Sequence, residues 1–288
     1  MDVATSRKQA WPTRRRSRMS PARVAVISVN YNTRLLIAQL IYSLRTRCAP
    51  AELAHVVVVD NGSRDGSQEL LAQFEHAGLC EVILNADQRY HGPALNQAMN
   101  RLAERQTRVG EQDAIDSVWV LDSDCVVVRQ DAVRRSTDAL TSSRAALAGQ
   151  KSSNAWHAEE TIGLYSLLFD PAQVWRDPIR PFDDSGEPSL ALQLDCAAAR
   201  LRAIDFPFTR EGYVVHRGRS TLAEVYARGD RDNAHYSWAV DHHTPHFNEE
   251  PGAAEGWQRL SAEFAAACES KVDDAAILRA CARAAPSA

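Results

Sequence analysis

Four short runs of aliphatic and β-branched residues, separated by segments with helical spacing, constrain the fold most. They are VAVISV, HVVVV, EVIL and VWVL, at residues 24–29, 55–59, 81–84 and 118–121. Strands without polar alternation are buried on both faces, which is typical of a parallel sheet with helices on both sides. We therefore predict an α/β fold with a mostly parallel central sheet.

The second half of the chain is less regular. LYSLLF and GYVVH, at residues 164–169 and 212–216, have strand character, and residues 188–203 have the spacing of a helix. A polar stretch at 229–256 is interpreted as a loop or lid, and a terminal helix is predicted at about 257–283. The pattern predicts a single domain with a C-terminal helical extension.

Composition and charge exclude several classes of protein. The net charge is −4, and no basic stripe is interleaved with aromatic residues, which argues against nucleic-acid binding. No apolar run is long enough to span a membrane, and none has the length of a secretory signal. The six cysteines are scattered without a Cys-x-x-Cys pair, which is typical of reduced thiols. We therefore expect a soluble cytoplasmic protein.

The N-terminal segment is basic and has no apolar periodicity. Residues 6–18 contain six Lys or Arg residues and no acid, which predicts a disordered basic tail over residues 1–20. Met19 could serve as the true or an alternative start of the chain.

Polar residues follow each of the four apolar strands. Because ligands of parallel sheets bind at the carboxyl ends of the strands, we expect these clusters to converge on one crevice. The clusters are Asn30-Tyr31-Asn32, Asp60-Asn61-Gly62, Asn85 and Asp122-Ser123-Asp124.

Asp122 and Asp124 are two acids within an otherwise apolar stretch, VWVLDSDCVVV. Residues i and i+2 of an extended chain point to the same side, so both carboxylates can face one ligand. Oxygen ligands favour a hard cation such as Mg²⁺ or Mn²⁺, often completed by substrate phosphates. A turn with two solvated acids is the alternative, but the position directly after a buried strand favours a metal site.

Four blocks, in their order and spacing, resemble the donor-binding half of a family 2 glycosyltransferase with the GT-A fold. They are VAVISVNYN, VVVVDNGSRDGS, VILNADQRYHGPALNQAM and VWVLDSD, over about residues 23–130. The resemblance implies a Rossmann-like sheet and a metal-dependent, inverting transfer. The sugar would pass from a UDP-, dTDP- or GDP-sugar to a hydroxyl of a glycan or small-molecule acceptor.

The resemblance also implies roles for individual residues. Asp122 and Asp124 would be the family's metal-binding Asp-x-Asp, and Asp60 would bind the base of the nucleotide. The Asn-Gly turn at Asn61 would let the backbone approach the ribose. The residues expected to bind or lie near the donor are Asn30, Asn32, Asp60, Asn61, Asn85, Gly92, Asn96 and Asp122.

VVHRGRS, at residues 214–220, is the second informative stretch. His216 could supply a nitrogen ligand to the same metal, as a late-strand histidine does in some metal-dependent GT-A enzymes. Arg217 and Arg219 could contact the diphosphate, because the guanidinium fork suits oxyanions. A structural histidine and exposed loop arginines are the alternatives. The spacing of four further histidines matches no strong zinc-binding pattern, so we interpret their segment as a lid or loop and not as a zinc site. They are His235, His242, His243 and His246.

The base that accepts the proton of the acceptor hydroxyl is the least determined element. Many relatives carry a Glu-Asp pair at the start of a helix in the second half, but Gln193 and Leu194 occupy that place here. The remaining acids are Asp183, Asp184, Glu187 and Asp195. We favour Asp184, which lies in a loop before a proline-started helix, and place Asp195 second.

The chain is thus divided into a basic tail at 1–20, a donor half at 21–130, an acceptor-binding and catalytic half at 131–228, and a lid with a terminal helix at 229–288. Two alternatives remain open. A sugar nucleotidyltransferase should have a Gly-rich loop after the first strand, and NYNTRLL contains no glycine. A non-catalytic nucleotide-sugar-binding protein is supported only by the missing Glu-Asp pair.

Overall fold

The computed structural model describes residues 8–12, 22–110, 113–153, 160–218 and 250–283. The strands are β1 Val24–Asn30, β2 Leu53–Asp60, β3 Glu81–Leu84, β4 Ser117–Leu121, β5 Cys125–Val127, β6 Leu147–Gly149, β7 Lys151–Ser153, β8 Glu160–Ile162, β9 Ser166–Phe169, β10 Ala203–Asp205 and β11 Val214–His216. The helices are α1 Arg34–Arg47, α2 Ser67–His76, α3 His91–Arg108, α4 Ala132–Ser142, α5 Pro171–Val174, α6 Leu190–Ala198, α7 Ala253–Ala267 and α8 Asp274–Arg283.

A seven-stranded sheet has the order β10-β6-β9-β4-β1-β2-β3. All neighbouring pairs are parallel except those of β9, which is antiparallel to both β4 and β6. The predicted mostly parallel sheet is therefore confirmed. Because β6, β9 and β10 come from the predicted acceptor half, the sheet joins both predicted halves into one domain. Two short antiparallel ribbons, β5–β11 and β7–β8, complete the strands of the described residues.

The central strands are buried on both faces, as their continuous apolar runs predict. In β1, Val24 and Val26 pack in one hydrophobic cluster with α1 and α2, whereas Ala25 and Ile27 pack in another with α3. This alternation follows from the two-residue period of a strand. Burying each such Val or Ile side chain stabilises the fold by roughly 1.5–3 kcal/mol. The prediction of helices on both faces is confirmed.

The predicted terminal helix at 257–283 is wrong in its extent. Two helices, α7 and α8, occupy this region, and the turn between them contains Glu269 and Ser270 in the left-handed region, with φ of 55° and 58°. The apolar spacing on either side of the turn is helical, which is why the interruption was not predicted. The predicted loop or lid at 229–256 lies mostly outside the described residues, and α7 already begins within it.

The two C-terminal helices pack on α1. The rings of Tyr42 and Phe264 meet edge to face at 5.3 Å, and Arg34 forms an ion pair with Asp274. In the described part of the chain, no helix combines the length and the apolarity that crossing a membrane requires.

Residues 8–12 differ from the predicted disordered tail. Lys8 Nζ donates hydrogen bonds to three backbone carbonyls between Val174 and Ile179, at 2.7–3.3 Å, and lies 4.6 Å from the centre of the Trp175 ring. The side chain of Trp11 is buried. This short segment is therefore attached to the domain, through contacts that the charge composition of the tail does not reveal.

Candidate active site

The polar clusters after β1 and β2 meet at the carboxyl edge of the sheet, as predicted. Asp60 Oδ2 accepts a hydrogen bond from Asn30 Nδ2 at 2.8 Å. Its Oδ1 accepts from the backbone N–H of Ser63 at 2.9 Å and from Gln68 Nε2 at 2.8 Å. Asp60 is fully buried, and these bonds offset the cost of removing its charge from water. Both oxygens of the predicted base-binding carboxylate are thus already bonded to protein.

Asn61 and Asn85 hold the loop that leads into α3. Asn61 Oδ1 accepts from the backbone N–H of Arg89 at 2.9 Å and from Asn85 Nδ2 at 3.2 Å. The same loop approaches Gly62, whose φ is +84° and at which a Cβ would lie 2.9 Å from the carbonyl carbon of Asp87. Glycine is required here by the close approach of a second backbone.

Asn32 and Thr33 link the end of β1 to its neighbours. Asn32 has a left-handed backbone with φ of 54°, and its Oδ1 accepts from the backbone N–H of Arg64 at 2.7 Å. Thr33 Oγ1 donates to Asn30 Oδ1 at 2.7 Å and lies 3.0 Å from Ser123 Oγ. This last contact connects the predicted nucleotide side of the crevice with the Asp-Ser-Asp segment.

Asp122, Ser123 and Asp124 form a tight turn between β4 and β5, not the extended chain expected. The backbone N–H of Cys125 closes the turn by donating to the Asp122 carbonyl at 2.9 Å. Both carboxylates nevertheless face one group, because β11 pairs with β5 and places His216 opposite Cys125. His216 Nε2 lies 3.3 Å from Asp124 Oδ1 and 3.8 Å from Asp122 Oδ2.

Tyr165, just before β9, supports both parts of this cluster. Its ring stacks on the imidazole of His216, with centroids 4.5 Å apart and planes 9° from parallel. Its carbonyl accepts from the backbone N–H of Asp122 at 3.1 Å and from the thiol of Cys125 at 3.2 Å. Tyr165 therefore contacts both the imidazole of His216 and the backbone of the turn.

The cluster fits a divalent cation. Asp122 Oδ1 is shielded from solvent and has no hydrogen-bond partner among the described residues, and neither has His91 Nε2, which lies 3.7 Å away. Burial raises the pKa of the Asp122 carboxyl, an effect that His91 and His216 oppose. The separations of 3.3 and 3.8 Å between His216 and the two carboxylates are near the ~3 Å between neighbouring ligands of an octahedral ion bound at ~2.1 Å. A cation bound beside His216 would add a partner for the Asp122 carboxylate.

Cys125 is not assigned to this metal cluster. Its Sγ lies within 4.8 Å of ligand atoms of Asp124 and His216. Burial, together with the two neighbouring aspartates, raises its pKa well above the usual thiol value, and the thiol donates to the Tyr165 carbonyl. Mg²⁺ and Mn²⁺ prefer carboxylate oxygens to soft sulfur ligands, which favours the aspartates over this thiol.

A cleft of about 290 Å³ opens beside the cluster. Asp122, His91, Tyr165 and His216 line it from the metal side. The loop at 186–190 and the neighbourhood of β7 and β8 also contribute lining residues, among them Ser152, Thr161, Glu187 and Gln193. The cleft therefore joins the metal cluster to residues of the predicted acceptor half.

Gly92 and Asn96, which the sequence predicts to lie near the donor, hold the segment at 182–183. A Cβ at Gly92 would lie 1.7 Å from the carbonyl oxygen of Asp183, so the helix and this segment are in backbone contact. Asn96 Nδ2 donates to the Phe182 carbonyl at 2.7 Å, and the backbone N–H of Phe182 donates to Asn96 Oδ1 at 3.1 Å. Both polar ends of Asn96 are thus used within the protein.

The two acids predicted as the base lie elsewhere. Asp195 is bound by both prongs of the Arg180 guanidinium, at 2.8 Å each, and by the Arg180 backbone N–H at 2.7 Å. The Arg180 guanidinium lowers the pKa of Asp195, which makes this carboxylate a weaker base. Asp184 is exposed and does not line the cleft. Neither Asp184 nor Asp195 is among the described residues that line the cleft, and we do not propose either as the base.

The remaining predicted residues are placed as follows. The backbone N–H of Arg217 donates to the Asp124 carbonyl at 3.0 Å, so this arginine adjoins the cluster. Arg219 lies outside the described residues, as do the four histidines of the predicted lid. Sequence reasoning missed His91 and Tyr165. His91 directly precedes Gly92 in a block that was singled out, whereas only the pairing of β9 with β4 brings Tyr165 to the cluster.

Replacing Tyr165 by leucine is expected to weaken Mn²⁺-dependent nucleotide binding by about 10- to 100-fold, the usual range for a residue that orients a metal ligand. The reason is that the stacked ring no longer holds the imidazole of His216. Tyr165→Phe keeps the ring and is expected to bind like the wild type. Titration calorimetry with Mn²⁺ and UDP or GDP measures the difference, and equal affinities of the leucine variant and the wild type would contradict the orienting role.

Comparisons with known proteins identify a matching sequence family and a similar fold. Residues 25–152 match the family model described as Glycosyl transferase family 2. No curated protein sequence matches the chain. The fold is similar to that of the mannosyltransferase PcManGT from Pyrobaculum calidifontis in complex with GDP-Man and Mn²⁺, with a TM-score of 0.51 and 18% identity over 96% of this chain and 89% of that one.

Two further solved structures are more distant. TarS 1-349 from S. aureus has a TM-score of 0.48 and 14% identity, over 91% of this chain and 90% of that one. Glucosyl-3-phosphoglycerate synthase from Mycobacterium tuberculosis, in complex with Mn²⁺, UDP and glucosyl-3-phosphoglycerate, has a TM-score of 0.47 and 16% identity, over 72% and 80%.

Proposed function

We propose that the chain is a metal-dependent, inverting glycosyltransferase, because residues 25–152 match the Glycosyl transferase family 2 model and the fold is similar to that of a solved mannosyltransferase. It transfers a sugar from a UDP-, dTDP- or GDP-sugar to the hydroxyl of a glycan or small-molecule acceptor. The observation that supports the metal dependence is the position of His216 Nε2 near a carboxylate oxygen of both Asp124 and Asp122, beside the cleft. In the described part of the chain, Asp122 Oδ1 also has no hydrogen-bond partner.

Asp122, Asp124 and His216 would hold the cation. When bound, a divalent cation stabilises the negative charge that develops on the leaving diphosphate. The mixed set of carboxylates and imidazole favours Mn²⁺ over Mg²⁺, because Mg²⁺ strongly prefers oxygen ligands. The mannosyltransferase of similar fold was solved with GDP-Man and Mn²⁺, which supports the same pairing of donor and cation here.

The nucleotide is proposed to lie along the ends of β1 to β3, next to the hydrogen-bonded network of Asn30, Asp60 and Asn61. An N–H of the base donates to the Asp60 carboxylate in place of one of its present protein donors. The side chain of Gln68 is the donor that can move away. Asn32 and Asn85 shape the loops around this pocket. Arg217, and Arg219 beyond it in the sequence, are proposed to contact the diphosphate.

A cytoplasmic location is part of the proposal. All six cysteines are free and buried, and none of them forms a disulfide bond. Reduced thiols of this kind are typical of the cytoplasm.

The function is tested by incubating the purified protein with Mn²⁺ and a panel of UDP-, dTDP- and GDP-sugars, with and without glycan and small-molecule acceptors. We expect release of the nucleoside diphosphate from at least one donor, and loss of this release in EDTA. The anomeric configuration of the product, determined by NMR, tests inversion. Tight donor binding without release would instead indicate a binding protein, and release of pyrophosphate from a nucleoside triphosphate with a sugar phosphate would indicate a nucleotidyltransferase.

A further inference from the structure

Two carboxylates line the cleft in the part of the chain that the structure describes, Asp122 and Glu187. Asp122 belongs to the metal cluster, so a bound cation would occupy its lone pairs. Glu187 is half-buried and reaches the cleft from a separate loop. It is therefore the cleft-lining carboxylate that lies outside the metal cluster.

The loop that carries Glu187 is held in place by its own hydrogen bonds. The backbone N–H of Asp183 donates to the Pro188 carbonyl at 3.0 Å, the N–H of Glu187 donates to Ser185 Oγ at 3.2 Å, and the N–H of Leu190 donates to the Glu187 carbonyl at 2.9 Å. These bonds close the loop on itself around Glu187. A catalytic side chain needs such a rigid support to keep its geometry.

The start of α3 fastens the same loop to the rest of the site. Gly92 is in backbone contact with Asp183, and Asn96 bonds the backbone of Phe182 in both directions. The residue before Gly92 is His91, which lies against Asp122. One helix turn therefore ties the position of Glu187 to that of the metal cluster.

Gln193 occupies the position at which many family 2 glycosyltransferases carry an acid, but its amide is hydrogen-bonded within the protein. Its Nε2 donates to the Ile162 carbonyl at 2.9 Å and to Ser189 Oγ at 3.0 Å, while its Oε1 accepts from the Ile162 backbone N–H at 2.8 Å. This amide joins α6 to β8 along one side of the cleft. A neutral amide takes up no proton near neutral pH, so the proton acceptor has to be another residue.

We propose that Glu187 is the catalytic base that accepts the proton of the acceptor hydroxyl, an inference that rests on the proposed transferase function. The acceptor oxygen forms a bond to the anomeric carbon of the donor sugar. The bond from that carbon to the diphosphate oxygen breaks, and its electron pair leaves with the nucleoside diphosphate. The hydroxyl proton passes to the Glu187 carboxylate and is later released to solvent.

His91 is the competing proton acceptor in the cleft. It lies 3.7 Å from Asp122, on the side where the cation and the leaving diphosphate bind. In an inverting displacement the nucleophile attacks from the face opposite the leaving group, so its base belongs on the other side of the sugar. Glu187 lines the cleft from the 186–190 loop, away from the contact between His91 and Asp122, and we therefore assign it rather than His91 to that side.

The test compares Glu187→Gln, Glu187→Asp and the matched control Asp184→Asn, an exposed acid of the same loop. The assay measures nucleotide release from the donor that the wild type uses, with its acceptor and also with water as the acceptor. We expect Glu187→Gln to lower kcat by about 10²- to 10⁴-fold, the usual contribution of a general base. Glu187→Asp is expected to retain part of the activity, and Asp184→Asn to match the wild type.

Binding separates this role from a structural one. We expect the Glu187→Gln variant to bind UDP or GDP with Mn²⁺ as tightly as the wild type and to lose the acidic limb of the pH profile of kcat/KM. If the wild type is active and Glu187→Gln has the same kcat, Glu187 is not the base, although the proposed function stands. The same conclusion follows if Asp184→Asn loses as much activity as Glu187→Gln, or if Glu187→Gln no longer binds the nucleotide. If the wild type releases nucleotide from no donor, the proposed function itself fails, and this inference falls with it.

Discussion

Asp124→Asn is expected to abolish the Mn²⁺-dependent part of nucleotide-sugar binding and to lower transfer by about 10³-fold or more. Asp124 Oδ1 lies 3.3 Å from His216 Nε2, and the residue is buried at the edge of the cleft. Asparagine has the same shape but lacks the charge that binds the cation. Loss of the cation removes several kcal/mol of stabilisation of the leaving group, and each 1.4 kcal/mol is about tenfold in rate.

The fold of this variant should survive, because the substitution removes a buried negative charge without changing the volume of the side chain. Asp138→Asn, an exposed acid on α4, is the matched control and should behave as the wild type. Calorimetric titration with UDP or GDP, in Mn²⁺ and in EDTA, gives the affinities, and thermal unfolding followed by circular dichroism checks the fold. The metal role is refuted if Asp124→Asn keeps the wild-type difference between Mn²⁺ and EDTA.

Gly92→Ala is expected to lower the free energy of unfolding by about 1–3 kcal/mol and to remove most of the transferase activity. The added Cβ would lie 1.7 Å from the carbonyl oxygen and 2.6 Å from the carbonyl carbon of Asp183, and backbone atoms cannot swing aside as a flexible side chain can. The helix and the loop must therefore separate. Since that loop carries Glu187, its displacement is expected to disturb the cleft as well as the packing.

Gly186→Ala is the control within the same loop, because a Cβ there meets no atom within 4 Å. Its stability should stay within about 0.5 kcal/mol of the wild type. Alanine favours a helix over glycine by up to ~1 kcal/mol, so intrinsic propensity alone would stabilise Gly92→Ala. Urea unfolding of both variants separates the two effects. Equal or greater stability of Gly92→Ala would show that the contact with Asp183 is not tight.

Local sequence patterns were sufficient for the elements of the donor half. The runs that became β1 to β4 are continuous and apolar, so burial on both faces was predictable from them alone. The convergence of Asn30, Asp60 and Asn85 followed in turn, because the carboxyl ends of parallel strands meet at one edge. The contact of Asp122 and Asp124 with one shared group was also predicted, although a turn produces it, not an extended chain.

Sequence patterns do not show contacts between residues distant in the chain. The block that contains Gly92 and Asn96 does not reveal their contacts with the backbone at 182–183. The helical pattern around Asp195 likewise does not reveal that Arg180 binds this carboxylate. Lys8 likewise bonds to the backbone of the domain, although the charge of its segment alone predicts disorder.

The sequence by itself determined the parallel sheet, the edge at which the site lies and the pair of acids that marks it, because each depends on periodicity and on residues close together in the chain. Only the tertiary structure decided which groups complete the site. The antiparallel insertion of β9 places Tyr165 against His216, and the fastening of the 183–190 loop to α3 places Glu187 in the cleft. These contacts join residues that are far apart in the sequence. Local sequence patterns do not predict them, because they depend on how the elements pack together.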